Sequence, residues 1–550
     1  MNILKFLNYP HHSEAKDMDF SHRGDFCFLP EIHSTRNHIY AETVSFGMIC
    51  AVVFFLAVFL ISLFFKTSVL VVFSGSIALF YFVLMLFKLW IVCKALTNDL
   101  TDFTREEIEL IKDDELPMYT ILIPLYREEQ VIRQIMKAMT AINYPVNKLD
   151  IIITLEEYDY PTINAIKKAG LPSHFKTLIL PNVQPKTKPK ALNVAFLKTK
   201  GEFLVIYDAE IIPEADQLKK AYLAFQKFPE IACFQTRLDH YNSHQNVITK
   251  LFNAEFSFYY DLFLPGLSQM GLPLSLSGHS THFRKEAIGN IGAWDPYNVA
   301  EDCDLGIRLQ RMGYKVGLLN SVSQEEATSD FKSWIMQRTR WMKGFIQTSI
   351  VHLRHPFRFK NEIGGWKNFI GFILTVPGTV LINILNLFYW TLLILWFITH
   401  SEIIKLFFPD TILYVSVVSF IIGNLIFTYL NLIGAYQRKR YELVKYSLLS
   451  PLYWVLLAIA GVRAFIQIII KPHHWEKTTH GKHLPEDMHL IIKDMTENKE
   501  KFIPENEYNI ATFEITKTTP YFLDKNNYRE SLVKSMDLRR RVISITEDTK

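Results

Sequence analysis

Two carboxylates one residue apart, Asp208 and Glu210, follow a short apolar run from Phe203 to Tyr207. A run of that kind reads as a buried strand, and ligands of open α/β sheets lie beyond the carboxyl ends of the strands. Paired carboxylates there suit Mg²⁺, which takes one or two protein carboxylates and fills its remaining positions with phosphate and water oxygens. Acidic loops commonly carry Asp-x-Glu, so the pair gains meaning from its neighbours. A basic run with Lys186, Lys188 and Lys190 enters a helix just before that strand. Lysines and helix N-termini both favour phosphate. Further on, Gln337, Arg340 and Trp341 share one face of a helical stretch, residues 333–349. An amide, a guanidinium and an indole together suit a pyrophosphate and a sugar ring, since Arg pairs phosphate oxygens bidentately.

Two further segments carry chemistry-bearing residues. Glu301, Asp302 and Asp304 open a helix, where the dipole favours acids whatever their role. Ser275, Ser277, Gly278 and His279 form a small-residue segment, and its glycine permits close approach of backbone to a ligand.

The elements that must hold these groups alternate regularly. Tyr119–Leu125, 149–155, Phe175–Leu180 and the run ending at Asp208 read as strands, separated by helical patterns at 128–142, Tyr160–Ala169 and 188–198. Strands alternating with helices predict a mostly parallel sheet. Three strands then bring acidic or polar residues to one sheet edge, among them Glu156 and Glu157.

Flanking this region are apolar blocks. Residues 43–65 carry no charge, 68–92 follow after only Lys66-Thr67 and contain Lys88 alone, and 369–399, 411–435 and 446–470 follow the α/β region. Each is long enough to span a bilayer, and some forty polar residues before the first exclude a cleavable signal peptide. The mean hydropathy of +0.11 agrees. Pro377-Gly378 inside the 369–399 block predicts a kink or a surface helix before the span. Basic residues near the ends, including Arg438, Lys439 and Arg440, place the central region on the cytoplasmic side. A formal net charge of +4 over 550 residues gives no sign of nucleic-acid binding, and five scattered cysteines fit a reduced interior.

As an ordered set these motifs resemble the membrane-embedded family 2 glycosyltransferases, the group containing cellulose, chitin and hyaluronan synthases. Asp208-Ala-Glu210 corresponds to the family's Asp-x-Asp, Glu301-Asp302 to its Glu-Asp pair, and Gln337, Arg340 and Trp341 to its Gln-x-x-Arg-Trp. Lys-Pro-Lys-Ala-Leu-Asn, Glu-Asp-x-Asp-Leu-Gly, Arg-Trp-Met-Lys-Gly and the later Trp475-Glu-Lys-Thr478 resemble the bacterial exopolysaccharide subgroup. The resemblance implies an α/β GT-A domain over residues 117–350, Rossmann-like with a mostly parallel sheet, inserted between N-terminal and C-terminal transmembrane helices. A polar segment (1–42), a hairpin (43–93) and a connector (94–116) precede it; interfacial and transmembrane helices (351–471) and a polar tail (472–550) follow.

It also implies an integral protein of the bacterial inner membrane, catalytic on the cytoplasmic side. The reaction it implies is inverting transfer from a UDP- or GDP-sugar to a growing polysaccharide. Asp208 and Glu210 would hold Mg²⁺ or Mn²⁺, and Asp302 would be the general base. Glu156, Glu157, Lys190, Gln337 and Arg340 would bind the donor; Ser277, Gly278, His279 and Trp341 would line the acceptor. Glu156-Glu157 stands where the family commonly has an Asp pair, which leaves the nucleotide open. Membrane lipid and other export-complex subunits are the partners implied, with a glycan or lipid-linked acceptor. One alternative is transfer of a single sugar to a polyprenyl phosphate or ceramide. A catalytically silent scaffold is another, and it predicts loss of a chemical residue, whereas all of those named are present.

Overall fold

The structure, a computed structural model, describes residues 68–95, 100–182, 184–400, 410–478 and 512–513. The polar segment 1–42, the apolar block 43–65 and nearly all of the tail lie outside the described residues. A nine-stranded sheet organises the rest: β1 (Tyr119–Leu125), β2 (Leu149–Glu156), β3 (Phe175–Leu180), β4 (Phe203–Ile206), β5 (Ile212–Pro213), β6 (Ile231–His240), β7 (Thr281–Arg284), β8 (Lys315–Glu325) and β9 (Thr512–Phe513). Their order is β5-β8-β6-β7-β4-β1-β2-β3-β9. Pairing is parallel except where β7 meets β4 and β6, and where β5 meets β8. This is the mixed, mostly parallel α/β sheet expected of a GT-A domain.

Residue alternation explains why the sheet is covered on both faces. Ile121, Ile151, Ile153 and Val205 pack into one core, while Leu122, Ile152, Leu204 and Ile206 pack into the other. Successive side chains of a strand point to opposite faces, so near-continuous apolar runs demand a layer on each side.

The register Tyr119↔Leu149 and Tyr119↔Phe203 aligns the carboxyl ends of β1, β2 and β4. β4 stops at Ile206, two residues short of Asp208. Tyr207 N–H still donates to Leu122 O at 3.0 Å, and Ile211 N–H then folds back onto Asp208 O at 3.1 Å. Asp208 therefore sits on the turn that leaves the sheet.

Eight helices matter for the site: α1 (Ser68–Ala95), α2 (Lys188–Phe196), α3 (Val247–Phe258), α4 (Glu301–Arg311), α5 (Phe331–Leu353), α6 (Pro377–Thr399), α7 (Asp410–Gln437) and α8 (Ser450–Ile470). Among the described residues, four stretches are long and apolar enough to cross a membrane: Ser74–Ala95, Pro377–Thr399, Ile412–Gln437 and Ser450–Ile470. The 369–399 block divides as expected. A helix over Trp366–Thr375 ends before Pro377 opens α6, because proline cannot donate the hydrogen bond a continuous helix needs.

Helix α5 joins the two halves. Trp334 packs on Tyr453 of α8 with ring centroids 4.9 Å apart, and Arg338 Nη2 donates to Tyr453 OH at 3.0 Å. Gly461 of α8 admits Met342: a methyl group at Gly461 would lie 3.3 Å from Met342 Sδ. The helix carrying Gln337, Arg340 and Trp341 is thus seated directly on the apolar helices.

Candidate active site

One ammonium group stands among the acids. Lys188, the first residue of α2, lies 2.6 Å from Asp208 Oδ1 and 4.0 Å from Glu301 Oε1. It also donates to Gly278 O at 2.7 Å. Asp302 adjoins the same point, since a methyl group at Gly278 would lie 3.2 Å from Asp302 Oδ2 and 3.3 Å from Lys188 Nζ. Four chain segments distant in sequence therefore converge: the turn after β4, the N-terminus of α2, the segment before β7 and the first turn of α4.

Burial governs the charges here. It pushes Glu301 up to about 7, with Asp302 repelling it further and Lys188 opposing. Burial also raises the Asp302 carboxyl above its ordinary range, offset by Lys188 and by backbone N–H groups of its own helix turn. For Lys188, burial works against the charge, but Asp208 and Glu301 outweigh it and its pKa rises. A carboxylate whose pKa is raised is a stronger base when ionised, which suits it to take a proton from a hydroxyl.

Glu210 is buried, and burial, then Asp208, then Glu325 hold its pKa well above the carboxylate range. Glu325 ends β8 and lies 3.1 Å from His240 Nε2 and 3.5 Å from His279 Nε2. His279 Nδ1 is buried without a hydrogen-bond partner among the described residues. No group of three His, Cys, Asp or Glu there has metal-holding geometry. What the chain offers is a pair of hard oxygen donors whose mutual repulsion a divalent cation would relieve. Two carboxylates are the number Mg²⁺ uses when phosphate and water supply the rest, so Asp208 and Glu210 fit the expected metal.

The α5 triad divides among three environments. Arg340 faces the acids: burial disfavours its charge, while Glu301, Asp302, Asp208 and Glu210 favour it. Gln337 turns instead to the strand exit, accepting from Thr328 Oγ1 at 3.2 Å. Trp341 packs on Phe252 and Phe256 of α3, with centroids 6.2 and 6.3 Å away, and Arg338 Cζ lies 4.6 Å from its ring centroid.

The other expected donor residues lie apart from this cluster. Lys190 is fully buried, 2.9 Å from Glu156 Oε1 and 3.0 Å from Glu156 Oε2. Burial lowers the pKa of Lys190 and raises that of Glu156. Residues two apart on a helix point roughly 200° away from each other. Lys188 and Lys190 therefore cannot face one ligand, and the structure puts Lys188 in the site and Lys190 in the core. Glu157 is exposed and accepts from Asn182 N–H at 3.1 Å.

Sequence reasoning did not single out Lys188 within its basic run, gave no site role to the strap that holds Trp475, and missed an aromatic pair. Tyr126 and Tyr158 follow β1 and β2 and meet edge-on at 5.7 Å, with Lys186 Nζ 3.9 Å from the Tyr158 ring centroid and Arg127 Cζ 5.1 Å from that of Tyr126. The signal was an aromatic residue just past each of two neighbouring parallel strands. The strap, residues 471–478, returns from α8 across α5. Lys343 Nζ donates to His474 O at 2.7 Å, Gln347 Nε2 to Pro472 O at 3.0 Å, and both Arg463 Nη groups to Glu476 at 2.6 Å. Lys477 pairs with Glu128 beside β1.

A family model described as "Glycosyl transferase family group 2" matches residues 203–466. The chain is 26% identical over 284 residues to the probable glycosyltransferase YdaM of Bacillus subtilis (strain 168), covering 50% of this chain and 68% of that one. It is 22% identical over 317 residues to glucomannan 4-beta-mannosyltransferase 1 of Cyamopsis tetragonoloba, covering 52% and 60% respectively. The chain thus spans only part of each relative's length. Among solved structures, the mannosyltransferase PcManGT from Pyrobaculum calidifontis, in complex with GDP-Man and Mn²⁺, superposes with a TM-score of 0.44 at 15% identity, covering 73% of this chain and 100% of that one.

Proposed function

We propose that the chain, whose residues 203–466 match the group 2 glycosyl transferase family, extends a β-glycan, moving sugars one at a time from a nucleotide-sugar with inversion. The observation that carries this reading is the convergence of Asp208, Glu301, Asp302 and Gly278 on Lys188, with Arg340 facing the same acids. Inverting transfer needs a base for the acceptor hydroxyl and positive charge for the departing diphosphate, and Asp302 beside Lys188 supports assigning those roles here.

Asp302 takes the proton from the acceptor hydroxyl as that oxygen attacks the anomeric carbon. The Gly278 backbone leaves room for the acceptor beside it, and Ser277 and His279 line the approach. Trp341 stacks at the acceptor end. Lys188 and Arg340 attract the diphosphate, while Tyr126, Tyr158 and Glu157 surround the nucleobase end. Glu156 and Lys190 brace that end from within the core, and Gln337 holds the loop after β8. Asp208 and Glu210 would hold Mg²⁺ or Mn²⁺, which would supply positive charge to the leaving diphosphate.

Membrane-spanning helices packed against α5 favour a polymer product, because a polar chain can cross lipid only through a protein-lined path. The name of the glucomannan mannosyltransferase relative makes a mannose donor one to try first. The test is a screen of UDP- and GDP-sugars on detergent-solubilised protein, following nucleoside diphosphate release with Mg²⁺ or Mn²⁺ and sizing the product. A high-mass glycan supports this reading. One glycolipid of fixed mass would instead establish transfer to a lipid acceptor.

A further inference from the structure

The acceptor-side segment 277–279 is held by two buried side chains that approach it from opposite elements. We propose that Gln235 and Tyr260 are positioning residues that fix this segment against Asp302 and so set how well the acceptor is bound. The inference rests on the reading of Ser277, Gly278 and His279 as the acceptor wall.

Gln235 lies on β6 and is 2% exposed. Its Oε1 accepts from Ser277 N–H at 2.8 Å and from Thr281 Oγ1 at 2.7 Å, and Thr281 Oγ1 also reaches Ser277 O at 2.9 Å. One amide oxygen thereby ties both ends of the segment together. The backbone between them is constrained: Ser280 has a φ of 55°, a region non-glycine residues seldom occupy. It is kept there by Ser280 N–H donating to Ile206 O at 2.7 Å and Ser280 Oγ to Ser323 Oγ at 2.8 Å. Strained backbone of this sort persists where its surroundings over-determine it.

Tyr260 reaches the segment from the other side. It belongs to a π-helical turn, Tyr259–Phe263, continuing α3, and such turns insert one extra residue into a helix. Both adjoining tyrosines face the segment. Tyr260 OH lies 2.5 Å from Ser277 Oγ and Tyr259 OH 3.3 Å from Ser275 Oγ. The Tyr260 ring also sits 5.5 Å from Phe256, which supports Trp341. A single residue thus links the aromatic bed under Trp341 to the hydroxyl of Ser277.

Steady-state kinetics test this on the full-length solubilised protein. The donors are GDP-mannose, UDP-glucose and UDP-N-acetylglucosamine, and the acceptor is the β-1,4-linked tetrasaccharide of the sugar transferred. Tyr260→Phe should raise the acceptor KM about tenfold, the effect of one lost hydrogen bond, and leave the donor KM within about twofold. Gln235→Leu, a second variant, should act in the same direction. In a Ser277→Ala background Tyr260→Phe should add less than about twofold, because the two act as a pair. If Ser277→Ala raises the acceptor KM while Tyr260→Phe and Gln235→Leu do not, or if Tyr260→Phe is fully additive, the positioning role is overturned. If no donor supports transfer to its tetrasaccharide, or Ser277→Ala leaves the acceptor KM unchanged, the acceptor-wall reading beneath it falls instead.

Discussion

The guanidinium of Arg340 lies over the indole of Trp475, its Cζ 4.6 Å from the ring centroid. Arg340 belongs to α5 and Trp475 to the strap after α8, so a segment beyond that apolar helix contacts the candidate site. A desolvated cation–π contact contributes on the order of 2 kcal/mol. Trp475→Ala should therefore reduce kcat/KM for the donor about ten- to thirtyfold, and Trp475→Phe should lose less. Initial rates of nucleoside diphosphate release decide it, and unchanged kinetics in Trp475→Ala would separate the strap from the site.

The Lys190–Glu156 pair predicts a stability effect. Removing one partner of a buried ion pair strands the other, at a cost of about 3–5 kcal/mol. Lys190→Met should lower the unfolding midpoint sharply, and Lys190→Met with Glu156→Leu should recover most of it. Thermal unfolding in detergent distinguishes this from a diphosphate contact, for which Lys190→Met would raise the donor KM and spare stability.

Glu301 gives the enzyme a pH-dependent stability. Its carboxyl stays protonated in the folded state up to about pH 7, against 4.5 for an unperturbed glutamate. The folded state then binds the extra proton, so the contribution is fully present below about pH 4.5 and is lost as pH rises through about 7. Glu301→Gln, which cannot ionise, should raise the unfolding midpoint relative to the parent at pH 8 and match it at pH 5, without donor or metal. An equal shift at both pH values would contradict this assignment.

Much of the frame was legible in the chain, because strand identity follows from local apolar runs. Tyr119–Leu125 and Phe175–Leu180 fall where the sequence placed them, and the break at Pro377 follows from proline chemistry alone. The motif acids were also legible, and Asp208 and Asp302 do converge. What could not be read was which way a residue faces. Lys188 and Lys190 carry the same chemistry two residues apart, and only the packing of α2 on the sheet decides between them. The contact of Trp475 with Arg340 was hidden differently: the two are 135 positions apart, and no local pattern reports a contact made by the return of the chain from α8. Gln235 and Tyr260 were invisible for a third reason, since each acts through backbone or hydroxyl groups of another segment.

The most direct test of the central claim is the effect of Asp302→Asn on sugar transfer by the solubilised protein, with nucleotide binding measured alongside. Loss of a general base should cut transfer by about 10²–10⁴-fold while affinity for the nucleoside diphosphate is kept, and chelation of divalent cations by EDTA should abolish activity in the parent. Transfer by Asp302→Asn at the parent rate would contradict the account.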